Sequence, residues 1–413
     1  MTQKCLWDLS QWPSDSAQLL IVADVLQALI DLGRAARARC VAKVVAVTGS
    51  VGKTSTKEML RTVLEFQGLT HASVASYNNH WGVPLTLARM PAETQFAIFE
   101  IGMNHPGEIA PLSEMVQPHV AMITTVAPAH MEAFESLDGI AREKADIVAG
   151  LVPGGAAILP ADVPTIDILV QAALAKGATI VGFGETADAF RLTALEMHHD
   201  VTVIQARLRG APAVLRLNTL GRHFAMNAMG VLAAVEALSG DPTRAAIDLF
   251  SWQPPAGRGR RESVNLDPAD TSVYFELIDD AYNANPASMA AALEVLAASD
   301  PQEQTGQGPR RIAILGDMLE LGQEEVQIHA QLADNSHLLT VDVVHCVGPR
   351  MRACYDALPA AIRGRWVPEA QELGLGLGDL IAPGDRVLVK GSLGSKVVMI
   401  VDLIRNLGHR SQP

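Results

Sequence analysis

The sharpest chemical signal in the chain is seven consecutive residues, Thr48–Gly49–Ser50–Val51–Gly52–Lys53–Thr54. They follow the apolar run Val44–Val47 and precede a segment whose apolar positions, Met59, Leu60, Val63 and Leu64, recur at helical spacing. A strand, a glycine-bearing turn, a Lys-Thr pair and a helix form the context that a phosphate-binding loop needs. Gly49 and Gly52 allow backbone angles that a Cβ would hinder. The free N–H groups of the helix start then face an anion. Lys53 can reach the β- and γ-phosphates of a nucleotide, and the Thr54 hydroxyl can ligate Mg²⁺. The spacing departs from the common GxxxxGK[ST] pattern, because two residues rather than four separate the glycines. The bland alternative is a glycine turn that caps a helix beside a surface lysine.

Other residue types are also placed for chemistry. Glu100 ends the apolar run from Phe96, where a carboxylate suits a cleft better than a core. Ile140, Lys144, Ile147 and Val148 share one helical face, which turns Lys144 towards the apolar side. A lysine there is unusual unless it is modified or paired. Asp280, Tyr282, Asn283 and Asn285 crowd into one loop after an apolar run, and loops at strand C-termini line clefts in α/β folds. An Asn-Pro turn at Asn285–Pro286 is the structural alternative.

The elements that must hold these groups alternate. Strands are expected at Val44–Val47, Phe96–Ile101, Val120–Val126 and Ala156–Leu159, with helical periodicity filling most of the gaps. Such alternation implies an α/β fold with a mostly parallel sheet. Ala189–Leu217 alternates apolar and polar residues, as an antiparallel addition would, and a helix is expected from Ala225 to Leu238. Gln253–Arg261 is rich in Pro, Gly and Arg and reads as a linker. Strands at Tyr274–Ile278, Arg311–Leu315, Val341–Cys346 and Arg386–Val389 then suggest a second, smaller α/β domain. Asp300–Arg310 reads as a surface loop. Before the phosphate loop there is only a short unit, a strand at Leu19–Ala23 and a helix at Val25–Arg39 with Val25, Leu26, Leu29, Ile30 and Leu32 on its apolar face.

Bulk properties agree. A chain of 413 residues exceeds one ordinary core, at about 100–200 residues per domain. A net charge of -13 argues against nucleic acid as a partner. Cys5, Cys40, Cys346 and Cys354 show no CxxC or zinc spacing, and reduced thiols in a cytoplasmic protein are the expectation. No apolar run reaches the length of a membrane span, and Met1–Asp15 lacks the pattern of a secretion signal.

The short loop resembles that of the Mur ligase family, and further segments agree in order. They are SYNNHWGVP (Ser76–Pro84), FEIGMNHPGEI (Phe99–Ile109), APAHMEAFESLDGIAREKADI (Ala127–Ile147), GRHFAMNA (Gly221–Ala228), GRGR (Gly257–Arg260), DDAYNANPASM (Asp279–Met289) and LGDMLELG (Leu315–Gly322). The last two are similar to the D-alanyl-D-alanine-adding branch. The resemblance implies a phosphate-loop-type central domain (41–255) and a smaller Rossmann-like C-terminal domain (256–413). Residues 1–40 would be a remnant of a UDP-binding first domain, or a linker. It implies an ATP-dependent ligase that joins D-alanyl-D-alanine to UDP-N-acetylmuramoyl-tripeptide through an acyl phosphate, as a monomer.

In that reading Gly49, Ser50, Val51, Gly52, Lys53, Thr54 and Ser55 hold the nucleotide phosphates, with Arg258 beside them. Asn227 lies on the adenine side, and Asp280 and Asn283 also serve the nucleotide. Thr54 and Glu100 hold one Mg²⁺. His130 and Lys144 serve a second, with Lys144 carbamylated. Lys53, Glu100, His130 and Lys144 are the catalytic set. Asn79, Tyr282 and Asn285 contact the other substrates, and Asp317, Glu320 and Lys390–Ser392 are weaker candidates. The family's usual Asn after the signature His is Phe224 here, which leaves His223 and position 224 without a transferred role; core packing is the expectation for Phe224. A shortened first domain implies weak binding of the UDP-linked tripeptide. Other Mur-like ligases (diaminopimelate- or lysine-adding, or of the folylpolyglutamate type) and a non-catalytic ATP-binding regulator remain the alternatives.

Overall fold

The computed structural model describes residues 21–129, 131–198, 200–267, 269–300 and 309–407. Two sheets carry the architecture. The first has nine strands: β1 (Lys43–Thr48), β2 (Thr70–Ala72), β3 (Phe96–Glu100), β4 (Val120–Ile123), β5 (Ala156–Pro160), β6 (Thr179–Gly184), β7 (Phe190–His198), β8 (Val201–Leu208) and β9 (Ala211–Leu217). Their order is β2-β3-β1-β4-β5-β6-β7-β8-β9, parallel up to β7 and antiparallel beyond it. The chain thus leaves β1 between β3 and β4, so the loop after β1 opens into a crevice at the strand C-termini.

Residue type explains the layers. Successive residues of a strand face opposite sides. Val45 and Val47 of β1, Ile98 of β3 and Met122 of β4 pack under the helices Lys53–Glu65 and Arg222–Ala237. Val44, Ala46, Ala97, Phe99, Ala121 and Ile123 face the other way, towards the helices Ile109–Val116 and Leu137–Ala145. A strand covered on both sides has no reason to alternate, hence the unbroken apolar runs. In β8 only every second residue is fully buried, as expected for a sheet with one wet face.

The second sheet comprises β10 (Arg260–Asn265), β11 (Tyr274–Asp280), β12 (Arg311–Gly316), β13 (Val343–Val347), β14 (Arg363–Val367) and β15 (Arg386–Lys390). Its order is β10-β11-β15-β12-β13-β14, and only the β10–β11 pair is antiparallel.

The α/β expectation and the four early strands hold, but some edges move. The strand expected to run to Val126 stops at Ile123, because Thr125 turns its carbonyl to the Ser50 N–H (2.9 Å). The helix expected from Ala225 begins at Arg222, after Gly221 at φ 143°. β10 starts inside the segment read as a linker, at Arg260. Ile21–Ala23 form no strand; the rest of that expected strand, like Met1–Asp15, lies outside the described residues, as do residues 301–308 of the expected surface loop. The helix Val25–Ala38 does form, capped by the Asp24 carboxylate on the Gln27 N–H (2.9 Å). Its expected apolar face is corrected, since Val25 and Leu32 are exposed. Gly33 and Ala36 are buried instead, and Gly33 lies against Pro84 of the helix Gly82–Ala88.

Candidate active site

A cleft of about 450 Å³ opens between the two sheets. The phosphate loop forms one wall. Gly52 sits at φ 87° with the Asn227 side chain directly behind it, and a Cβ there would lie 2.9 Å from the Asn227 amide atoms. Glycine is required at that turn by both conformation and space. Asn227 therefore supports the loop from behind, and its buried Nδ2 has no partner among the described residues. Ser50 is turned away from the cleft's centre. Its hydroxyl donates to the Ala127 carbonyl (2.8 Å) and accepts from the Ala127 N–H (3.0 Å), which ties the loop to the end of β4.

Lys53 begins the helix Lys53–Glu65 and folds its ammonium back onto the Gly49 carbonyl, at 2.7 Å. Burial pushes the Lys53 pKa down and Arg258 adds to this, while Glu100 opposes it. Thr54 Oγ1 donates to Glu100 Oε1 at 3.2 Å and lies 3.1 Å from the Ser76 hydroxyl. The Asn78 amide donates to the same Glu100 oxygen at 2.8 Å. Glu100 is 1% exposed, and its second oxygen, Oε2, is buried with no partner among the described residues. An orphaned carboxylate oxygen beside two hydroxyls is a donor set for a small hard cation.

Lys144 lies deeper, 2% exposed, with Nζ 3.8 Å from the Met103 sulfur. Burial, reinforced by the Lys53 charge, holds its pKa well below the usual lysine range. The neighbouring Glu143 does not pair with it. That carboxylate accepts the N–H groups of Gly107 (2.6 Å), Glu108 (3.0 Å) and Ile109 (2.9 Å), at the start of the helix Ile109–Val116. His130 lies outside the described residues.

The facing wall comes from the second sheet. Arg258 stacks over the Tyr282 ring, 4.1 Å from its centroid. Lys390, at the end of β15, donates to Asp280 Oδ2 (2.7 Å) and to the Asn283 carbonyl (2.9 Å). Burial pushes both members of the Asp280–Lys390 pair towards neutrality, and their mutual attraction opposes it. Asn283 turns its side-chain oxygen to the Ala284 N–H (2.8 Å). Asn285 caps the helix Pro286–Ala298 in a reciprocal box with Ser288. Asp317 faces the turn before Met351 (2.8 Å to its N–H) and pairs with Arg350, while Glu320 lines the cleft. Ser392 ties the Leu319 N–H (3.0 Å) to the Ala284 carbonyl (3.3 Å).

The sequence thus brings Lys53, Thr54, Glu100, Arg258, Asp280 and Tyr282 to one cleft. Two residues were not singled out. Ser76 and Asn78 reach the Thr54–Glu100 pair, and Asn79 lines the same cleft. Asn79 accepts the N–H groups of Trp81 (3.1 Å) and Gly82 (2.9 Å) and so caps the next helix. No signal in the string separates adjacent asparagines of an irregular loop. Asn285, expected to contact substrate or to form an Asn-Pro turn, caps a helix. Phe224 is 3% exposed and meets Trp252 edge-on at 5.1 Å, which is core packing. His223 beside it is pushed down to about 4 by burial and by the Lys390 charge.

Comparison with known proteins fits this geometry. Residues 47–235 match the Mur ligase middle domain, and residues 268–393 match the Mur ligase, glutamate ligase domain. A UDP-N-acetylmuramoyl-tripeptide--D-alanyl-D-alanine ligase of Escherichia coli (strain K12) is 34% identical over 394 residues, covering 94% of this chain and 82% of that protein. The ligase of the same name from Rickettsia prowazekii is 32% identical over 391 residues, covering 94% of this chain and 84% of that one. The crystal structure of MurF from Acinetobacter baumannii superposes with a TM-score of 0.82 at 32% identity, covering 93% of this chain and 82% of that one. MurF ligase of Thermotoga maritima in complex with ADP, at 21% identity, shares the fold with a TM-score of 0.79 over 97% of this chain and 88% of that one. With matching domains on both sides of a cleft whose phosphate loop has the short spacing, the chain belongs to the Mur ligase family.

Proposed function

We propose that this chain is an ATP-dependent ligase that joins D-alanyl-D-alanine to UDP-N-acetylmuramoyl-tripeptide, in peptidoglycan precursor synthesis. A carboxylate is a poor electrophile, so ATP must first convert it to an acyl phosphate. The dipeptide amine then attacks the carbonyl carbon and phosphate leaves. Both steps build negative charge on oxygens, so fixed cations and N–H groups are the main catalytic resource.

The observation that carries the reading is the Lys53–Thr54–Glu100 constellation facing Arg258 and Tyr282 across one cleft. Residues 49–55 cradle the phosphates, with Lys53 as the cation that reaches them. Arg258 approaches them from the opposite wall. Asp280 and Asn283 serve the nucleotide, Asn227 shapes its loop, and Tyr282, Asn285 and Asn79 line or shape the path of the other substrates. The residues fit Mg²⁺: the unpartnered Glu100 Oε2 and the Thr54 hydroxyl are the oxygen ligands that ion prefers. When bound it neutralises charge on the phosphoryl oxygens. Burial lowers the Lys144 pKa and so favours the neutral amine that addition of CO₂ requires; carbamylation would turn it into an oxygen ligand for a second Mg²⁺ beside His130.

In this reading residues 41–255 bind ATP and residues 256–413 close over it. We place the protein in the cytoplasm as a monomer, which suits its buried free thiols Cys40, Cys346 and Cys354. Among the described residues no helix is long and apolar enough to cross a membrane.

One assay tests the proposal: ADP release with UDP-N-acetylmuramoyl-tripeptide and either D-alanyl-D-alanine or single amino acids. ADP formed with the dipeptide is expected. ADP formed only with a single amino acid reassigns the substrate to another Mur-like ligase. No ADP with any acceptor makes the chain a nucleotide-binding regulator.

A further inference from the structure

Lys57 lies one turn beyond Lys53 on the same helix, and its side chain is 1% exposed. A lysine is rarely buried this far unless its ammonium is fully partnered. Three acceptors surround it: the carbonyls of Ser73 (2.8 Å) and Ala75 (3.3 Å), and Glu58 Oε1 (2.7 Å). Two of the three belong to one stretch of irregular backbone. That stretch leads directly into Ser76 and Asn78, which stand 3.1 Å from Thr54 Oγ1 and 2.8 Å from Glu100 Oε1. Residues 73–78 contain no helix or strand, so no ladder fixes their path. Beyond them the Gly102 N–H holds the Asn78 carbonyl at 2.8 Å. The segment is therefore fastened to the phosphate-loop helix at one end and to the end of β3 at the other.

We infer that Lys57 is a positioning residue for the divalent-metal site. Its ammonium pins residues 73–75 to the phosphate-loop helix, and so sets Ser76 and Asn78 against Thr54 and Glu100. The inference rests on the reading that Thr54 and Glu100 hold Mg²⁺. Charge-assisted bonds to two carbonyls are strong enough to order a short irregular segment. Without them the segment regains backbone freedom, and the donor set must be ordered again each time the metal binds. Lys57 is not among the residues that line the cleft, so its loss is expected to act on metal affinity while the reacting groups stay in place.

The test is a titration of Mn²⁺ into the full chain loaded with a non-hydrolysable ATP analogue, with free Mn²⁺ read by electron paramagnetic resonance. The Mg²⁺ dependence of ADP release is measured in parallel. Lys57→Met is expected to weaken Mn²⁺ binding about tenfold, in the range for groups that orient metal ligands. Saturating Mg²⁺ should restore most of kcat. Glu58→Gln leaves both carbonyl contacts intact and should stay within about twofold of the unsubstituted chain. Unchanged Mn²⁺ affinity in folded Lys57→Met would overturn the inference, as would a fall in kcat that excess metal cannot restore.

Should Lys57→Met not fold, Val74→Gly decides. Val74 is 70% exposed and lies between the two pinned carbonyls. Loosening the backbone there should weaken Mn²⁺ about threefold, and no change would count against the inference. Glu100→Gln separates the two claims. If it leaves Mn²⁺ affinity intact, the metal-site reading itself fails. If it abolishes binding while Lys57→Met and Val74→Gly do not weaken it, only the positioning role fails.

Discussion

The two walls of the cleft treat their polar groups differently. On the phosphate-loop wall the enclosed Lys53 and Lys144 side chains have no carboxylate hydrogen-bonded to either among the described residues, and Glu100 Oε2 and Asn227 Nδ2 are buried without partners among them. On the facing wall Lys390 bonds Asp280, Asn285 and Ser288 cap each other, and Ser392 bridges two loops. Buried polar groups left unpaired cost free energy, typically about 1–3 kcal/mol each. A fold keeps them where a ligand completes them. One wall leaves buried polar groups for what binds to complete, whereas the buried polar groups of the other are mostly paired within it.

The largest expected effect lies on the unfinished wall. Lys53→Ala should lower ADP release by about 1000-fold, as loss of a principal charge-stabilising donor does. Its stability in urea should hold or rise, because among the described residues the lost ammonium has only the Gly49 carbonyl as hydrogen-bond partner. A large loss of stability in this variant would break the contrast.

On the finished wall the signs reverse. Lys390→Met strands the half-buried Asp280 carboxylate, whose side chain is 17% exposed, and removing one partner of a buried pair costs up to about 3–5 kcal/mol. Urea unfolding should show a loss of that order. A variant as stable as the unsubstituted chain would mean that Asp280 finds water or another cation.

Acid should separate the walls more gently. His345 lies in the second sheet, 3% exposed, with Nδ1 accepting the Arg365 N–H at 3.0 Å. Burial, reinforced by Arg365 and Arg310, lowers its pKa from 6.5 to about 4. The unfolded chain binds this proton more readily than the folded one. The stability tied to neutral His345 is thus fully present above about 6.5 and lost as pH falls towards 4. His345→Asn, which can keep an acceptor for Arg365, should lose about 1–2 kcal/mol less between pH 7 and 5 than the unsubstituted chain. Parallel urea titrations at the two pH values check this.

The same contrast explains what the sequence could disclose. Glycine spacing, an apolar strand and a helical stripe are periodic signals, so Gly49–Thr54, Glu100 and the inward face of Lys144 were legible. β2 and β14 were not, because THA is too short and RGRWV carries no apolar run. β6 hides behind the glycines of TIVGFG. Lys57 was hidden for another reason. In the string it stands beside Glu58 and four residues before Arg61, a pattern that reads as a solvated helix face. Only tertiary placement of residues 73–75 turns it into a buried anchor.

The finest division runs between two neighbours on the unfinished wall. Asn78 gives its amide to Glu100, whereas Asn79 spends its side-chain oxygen on the Trp81 and Gly82 N–H groups. Asn79 thus behaves like a residue of the finished wall, although it was expected to touch substrate. Asn79→Ala should cost about 1 kcal/mol, the usual value of a lost helix cap. Asn79→Ser, which can cap as well, should recover most of it. If thermal melts show that recovery and KM for the dipeptide follows stability in both variants, Asn79 acts by holding the loop. A KM that rises in Asn79→Ser while stability returns would give the amide a contact with substrate, and would place the boundary between the two kinds of wall one residue later.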